Sequence, residues 1–296
     1  MKIPLCLVAG FLGCGKTTLL RRLAERRSGR SFIFIVNEFN AVDVDGVRLE
    51  MPPGRMVSVA GGSIFCRCKA GEFIKVLKEV SRRRGCTGVI VEASGIADPS
   101  VLPALLEETR LERFFGPAAV IAIVDPGSFL KLVATLPAAV AQVRAARLVL
   151  LNKCDLYLPE ELDQTEREVR RLNSGAEILR TEHCRAHFDL FALDSARKLK
   201  GRYARCADPR FCTVAARVPA QADLRLLQAE LDAAAQDLFR VKGFVKNERC
   251  WEYWDWSNGI WNKEPAAARA DSILVLIGRG AARERLEALQ KEIEGA

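Results

Sequence analysis

At 296 residues the chain is long enough for one large core or two ordinary domains. With 49% apolar and 28% charged residues it has the balance of a globular protein and is too mixed for disorder, and no apolar run approaches the eighteen or so residues of a membrane helix. The net charge of +8 sits on scattered pairs (Arg21-Arg22, Arg26-Arg27, Arg170-Arg171) and one triplet, Arg82 to Arg84. Most of these alternate with acids along helical stretches, so they read as solvated faces and argue against a nucleic-acid partner.

Ten cysteines in this length are too sparse for a disulfide scaffold, and Cys6 and Cys86 lie in apolar runs where a thiol behaves as a small hydrophobe. A reducing, cytoplasmic setting is expected, with no membrane partner. The opening "MKIPLCLVAGFLGC" imitates a lipoprotein leader, but Gly15-Lys16-Thr17-Thr18 completes a different motif that uses the whole stretch.

In chain order, Ile3 to Ala9 is a short apolar run without alternation, the pattern of a strand buried on both faces. Similar runs recur at Phe32 to Val36, Gly88 to Val91, Ala118 to Val124 and Arg147 to Leu151. Helical stretches separate most of them. Leu19 to Arg27 is one and Glu72 to Arg83 another, the second with Phe73, Ile74, Leu77 and Val80 on one face. This alternation predicts an α/β fold, a mainly parallel sheet covered by helices, over residues 1–197. Lys198 to Asp208 is basic and aperiodic, and "FCTVAARV" then opens a small α+β domain over residues 209–296. That domain reads as strand, helix (Asp223 to Leu238), strand near Gly243 to Val245, a tryptophan-rich segment, strand (Ser272 to Ile277) and helix. In "WEYWDWSNGIW", residues 251 to 261, the rings read as core payload of a strand pair in preference to an exposed patch.

"GFLGCGKT", Gly10 to Thr17, fits G-x-x-x-x-G-K-[ST] between a buried strand and a helix. Glycines at Gly10, Gly13 and Gly15 let backbone N–H groups, with those of Cys14 and Thr18, curl round phosphate oxygens. Lys16 neutralises the β- and γ-phosphates, and Thr17 offers its hydroxyl to Mg²⁺. "LLNKCDL" follows the fifth strand, with Asn152, Lys153 and Asp155 as N-K-x-D. A carboxylate at Asp155 accepts from N1–H and the 2-amino group of guanine, a pair that adenine lacks. "VIVEASGIADP" ends another strand with Glu92, placed to act near Mg²⁺ or the attacking water. Gly95 presents its N–H toward the γ-phosphate. Lys16 and Glu92 are therefore the candidate catalytic pair for GTP hydrolysis.

"GGSIFCRC", residues 61 to 68, carries Cys66 and Cys68 one residue apart. Such a pair grips a soft metal, senses redox state, or packs in a turn; the residues alone leave all three open. His183 and His187 flank Cys184 and read as loop or surface residues.

Together, "GFLGCGKTTLL", "VNEFNAVDVDG", "GGSIFCRC", "VEASGIADP", "LLNKCDL" and the late "RVKGFV" and "SILVLIG" run in the order of the CobW-like family of P-loop GTPases, which the chain resembles over nearly its whole length. The resemblance implies GTP hydrolysis in metal delivery or metallocofactor assembly, a client metalloprotein, and a C-terminal domain that serves partners or a homodimer. It also implies that "VNEFNAVDVDG" is the first switch, with Asn37, Glu38 and Asp45 at matching positions. The family usually has glycine where Asn40 stands, and C-x-C-C after the glycine pair where this chain has Ser63, Phe65 and Cys66. Two thiolates remain, Cys66 and Cys68, too few for a closed tetrahedral site but enough for Zn²⁺ or Co²⁺ with Glu38, a harder third ligand, or a histidine. The altered motif also suits a GTP-dependent conformational chaperone of a metallo- or corrinoid enzyme that carries no metal. A small-molecule kinase is disfavoured, since it would not need N-K-x-D.

Overall fold

Strand β1 (Ile3–Gly10) lacks alternation because both its faces are buried: Leu5, Leu7 and Ala9 enter one core, and Cys6 and Val8 enter another. This is a computed structural model, which describes residues 2–25, 31–38, 55–60, 70–190, 211–247, 250–257 and 259–295. The chain divides into two compact units, Met1–Cys206 and Ala207–Ala296.

In the first unit β1 is joined by β2 (Phe32–Glu38), β3 (Met56–Ala60), β4 (Gly88–Glu92), β5 (Phe115–Val124), β6 (Leu148–Leu151) and β7 (Glu177–Arg180). Among the described residues these seven form one parallel sheet in the order β3-β2-β4-β1-β5-β6-β7. One face is covered by α2 (Ala70–Ser81), α3 (Val101–Glu108), α4 (Pro126–Thr135), α5 (Pro137–Ala145) and α6 (Pro159–Leu172), which bury residues such as Phe73, Leu105, Phe129, Val143 and Val169. Truncating Phe73, fully buried, would cost about 3–5 kcal/mol. The other face is covered by α1 (Lys16–Glu25) through Leu19, Leu20 and Leu23, and by Cys184 and Leu190.

The five expected inner strands are present. The edges β3 and β7 were not expected from the sequence: Ser58 interrupts the apolar run of β3, and β7 exposes both its end residues, leaving too weak an apolar signal. The sheet runs outward in both directions from β1, so the chain reverses its strand order there. In open α/β sheets the crevice beyond the carboxyl ends at that point is where ligands bind. Register brings Gly10 beside Ile123, Val8 beside Glu92 and Val124 beside Leu151, so the motif-bearing ends share one edge.

In the second unit β8 (Phe211–Arg217), β9 (Leu238–Lys246), β10 (Trp251–Ser257), β11 (Ile260–Ala266) and β12 (Ile273–Arg279) form an antiparallel sheet, order β11-β10-β9-β12-β8. Helices α7 (Leu224–Ala233) and α8 (Arg283–Gly295) contribute Leu227, Leu231, Leu286 and Ile293 to a core shared with Trp254 and Trp256. The first of these helices stops short of the expected Leu238, which already begins β9. The tryptophan-rich segment is a hairpin of the sheet itself. Tyr253, Trp254 and Trp256 are buried, while Trp261 is half-buried with its indole N–H donated to Asp232 at 2.8 Å. Lys263 Nζ lies 3.6 Å from the Trp254 ring centre, a cation–π contact. Arg240 makes a two-pronged ion pair with Asp255 at 3.0 and 2.9 Å. No helix among the described residues is long and apolar enough to cross a membrane.

Candidate nucleotide-binding site

The loop between β1 and α1 forms because its glycines take backbone angles closed to other residues. Gly15 has φ +115°, and a Cβ there would lie 2.5 Å from Asn152 Nδ2. Lys16 opens α1, is buried, and donates from Nζ to the carbonyls of Gly10 at 3.0 Å and Phe11 at 3.2 Å. Its ammonium thus lies across the loop on two neutral acceptors, which phosphate oxygens would outcompete. Thr17 is buried beside it and Thr18 half-buried.

Glu92 ends β4 and is 4% exposed. Two residues on, the Ser94 hydroxyl is buried with no hydrogen-bond partner among the described residues. Gly95 packs so closely on Leu12 that an added Cβ would meet the Leu12 backbone nitrogen at 2.9 Å. Buried Gln142 of α5 fixes this turn from behind, its Nε2 donating to the carbonyls of Gly95 at 3.2 Å and Ala97 at 3.1 Å.

Asn152, the first residue of the N-K-x-D segment, braces the loops around it. It is 2% exposed, donates from Nδ2 to Cys14 O at 2.9 Å, and accepts at Oδ1 from Cys184 N at 2.7 Å and from the Thr181 hydroxyl at 3.1 Å. It ties the phosphate loop to a third loop, residues 181–185, that the motifs did not reveal. That loop holds His183 and Cys184 at φ 49° and 56°, and Lys153 beside it is at φ 64°. Left-handed backbone at three non-glycine residues is uncommon and persists only where surroundings impose it. Here Asn152 grips Cys184, and Arg22 of α1 donates from Nε to His183 O at 2.6 Å. Burial and the nearby Cys14 push the Cys184 thiol up, outweighing Arg22 and Lys153, so it stays protonated and packs. His183 and His187 are exposed loop residues, and Asp155 is exposed at the centre of the 3₁₀ turn Cys154–Leu156. Lys153 pairs at 2.8 Å with Asp125, which belongs to none of the nucleotide-binding motifs. The signal for it was Asp-Pro directly after a buried strand, a helix N-cap with proline in the first turn.

Of the first-switch residues, Asn37 and Glu38 close β2, with backbone register to Val59 and Ala60. Asp45, Cys66 and Cys68 lie outside the described residues. Among the described residues no cluster of three or more His, Cys, Asp or Glu could hold a metal.

Residues 4–180 match the family described as CobW/HypB/UreG, nucleotide-binding domain, and residues 211–293 match the cobalamin synthesis protein cobW C-terminal domain. The chain is similar to the zinc chaperone CobW of Pseudomonas aeruginosa, 32% identical over 209 residues, which cover 67% of this chain and 50% of the relative. It is similar to zinc-regulated GTPase metalloprotein activator 1 of Schizosaccharomyces pombe, 28% identical over 197 residues, 62% of this chain and 46% of the relative. The chain therefore spans about half the length of these curated relatives. Among solved structures it is similar to the Zn(II)-bound YjiA GTPase from E. coli, with 20% identity, 99% of each chain covered and a TM-score of 0.48.

Proposed function

The chain belongs to the CobW/HypB/UreG family, and we propose that it binds and slowly hydrolyses GTP to gate the hold and release of a metal ion. The observation that carries the nucleotide part is the Asn152 brace, which draws the N-K-x-D segment and the phosphate loop into one crevice. In this reading Asp155 selects guanine, and Gly10, Gly13, Cys14, Gly15 and Thr18 offer backbone N–H groups to the phosphates. Lys16 neutralises charge at the γ-phosphate, and Gly95 donates its N–H there. Residues 1–197 form the nucleotide domain, and residues 209–296 serve partner contacts.

The donor set suits Mg²⁺: a hydroxyl at Thr17 and a carboxylate at Glu92 are hard oxygen ligands, with the unpartnered Ser94 hydroxyl near the same turn. Held there, the ion would supply positive charge against the negative charge that develops on the phosphates. Glu92 orients a water whose oxygen attacks the γ-phosphorus as the bond to the β–γ bridging oxygen breaks, leaving GDP and phosphate. No cis arginine finger was legible in the sequence, hence the slow rate.

The metal is cargo, Zn²⁺ or Co²⁺, held by Cys66 and Cys68 with Glu38 as a third ligand. The β2–β3 register supports this: Glu38 pairs with Ala60, so the described ends of the strands that precede the first switch and the Cys66 motif in sequence are neighbours. A bound γ-phosphate that orders Asn37, Glu38 and Asp45 would then alter metal affinity before transfer to a client metalloprotein. Ser63 and Phe65, where the family has thiolates, favour one second reading, remodelling of a client enzyme without metal transfer.

Competition of GTP, GDP and ATP for the purified chain tests the nucleotide assignment, and equal affinity for GTP and ATP would sink it. Metal titration under reducing conditions separates the two functional readings. Cobalt bound by thiolates gives a near-ultraviolet charge-transfer band, and its absence in both nucleotide states leaves only client remodelling.

A further inference from the structure

We infer that Asp125 is a positioning residue for base recognition, a buried carboxylate that staples both flanks of Asp155 at once. The inference rests on the guanine reading of the site and deepens it.

Asp125 follows β5 and is 4% exposed. Its Oδ2 takes Lys153 Nζ at 2.8 Å, and its Oδ1 accepts from the Tyr157 hydroxyl at 2.8 Å and from Gly127 N at 3.1 Å. Lys153 and Tyr157 bracket the 3₁₀ turn Cys154–Leu156, so one carboxylate anchors the residue before that turn and the residue after it. Asp155 stands between the anchors with its own side chain exposed.

The plain alternative is that Asp125 only caps α4 through Gly127 N. Two observations exceed a cap. Gly127 leaves a space into which the tyrosine fits: a Cβ there would lie 2.3 Å from the Tyr157 hydroxyl oxygen and 2.9 Å from its ring. A cap also needs no cation, whereas Lys153 reaches Asp125 from a left-handed backbone at φ 64°. The pairing neutralises the buried carboxylate and fixes the lysine stem. Burial, with the Asp125 charge beside it, pushes the Tyr157 pKa up, so the phenol remains a donor at ordinary pH.

Recognition of guanine by Asp155 requires both carboxylate oxygens to meet N1–H and the 2-amino group together. A turn released at either flank can pivot and keep only one of these bonds. Inosine diphosphate lacks the 2-amino group, so the affinity ratio of GDP to inosine diphosphate reports how well Asp155 is aimed.

The test measures this ratio on the full chain, by displacement of a fluorescent GDP, for the parent and for Asp125→Asn, Tyr157→Phe and Gly127→Ala. Asparagine still caps a helix, so Asp125→Asn removes the ion pair while keeping the cap. Tyr157→Phe and Gly127→Ala act on the other flank without touching charge. In each variant the ratio is expected to fall roughly threefold or more, since the 2-amino contact is one charge-assisted hydrogen bond. Equal weakening of GDP and inosine diphosphate, with the ratio preserved in all variants that fold, would reduce Asp125 to a helix cap and overturn the proposal. A parent indifferent to GDP against ADP would remove the guanine reading itself, and this proposal with it.

Discussion

Asn152 Nδ2 donates to the carbonyl of Cys14 at 2.9 Å, so the end of β6 holds the phosphate loop directly, through a single buried side chain. The same amide accepts from Cys184 N, joining three loops that are far apart in sequence. Asn152→Ala removes the bonds to the Cys14 carbonyl and the Cys184 N–H, each group costing about 1–3 kcal/mol if left unpaired and dry, while the Thr181 hydroxyl keeps the Leu151 carbonyl at 3.4 Å. The expected loss is about 2–4 kcal/mol, read as a lower urea midpoint at unchanged slope, together with weaker GDP binding. A midpoint within error of the parent would show that water repairs the brace.

Gln142 gives a prediction about the turn that follows β4. Gln142→Ala removes both donors to the Gly95 and Ala97 carbonyls and leaves a cavity behind the turn. Amide exchange across residues 94–98 is expected to quicken more than exchange in β4, since local opening is governed by local bonds. Unchanged exchange there would mean that contacts with Leu12 alone hold the turn.

Charge removal at the phosphates should act on turnover. Lys16→Ala is expected to abolish GTP hydrolysis, while Asp155→Asn should shift preference from GTP toward xanthosine triphosphate, whose 2-oxo group complements an amide donor. Retention of the parental nucleotide preference in Asp155→Asn contradicts the assignment of the base reader.

The pH dependence of stability has a fixed sign. Cys6, fully buried in β1, has its thiol pushed up by burial from 9.0 to about 12. The folded chain holds this proton more tightly than the unfolded chain. The contribution is therefore intact below about pH 9 and declines as pH rises from there toward about 12. Cys184 and Tyr157 shift in the same direction and steepen the decline. Cys6→Ala should melt with a shallower dependence on pH above about 9, and an unchanged slope would contradict this.

The local parts of the site were legible in the sequence, and the parts made by topology were not. Gly10 to Thr17 is a strand, a glycine loop and a helix in a row, so its geometry follows from neighbours in the chain. Gln142 and Cys184 reach the site only because α5 and the loop after β7 converge there and carry no pattern of their own, while Asp125 shows in the sequence only as the Asp-Pro cap of a helix. The inner strands were readable because burial on both faces demands an unbroken apolar run, a demand that the short edges β3 and β7 escape. Trp254 and Trp256 were readable as core by bulk alone, but their place within a sheet hairpin depends on pairing with Gly243 and Val241.

If nucleotide state gates metal hold, as proposed, thermodynamic linkage makes that coupling measurable from either side. The most direct measurement is Zn²⁺ affinity of the full chain, titrated under reducing conditions with GDP and again with a non-hydrolysable GTP analogue. The expected result is one Zn²⁺ per chain, an affinity that differs between the two states, and loss of most binding in Cys66→Ser and in Cys68→Ser. Equal affinity in both states, or binding indifferent to both substitutions, would contradict it.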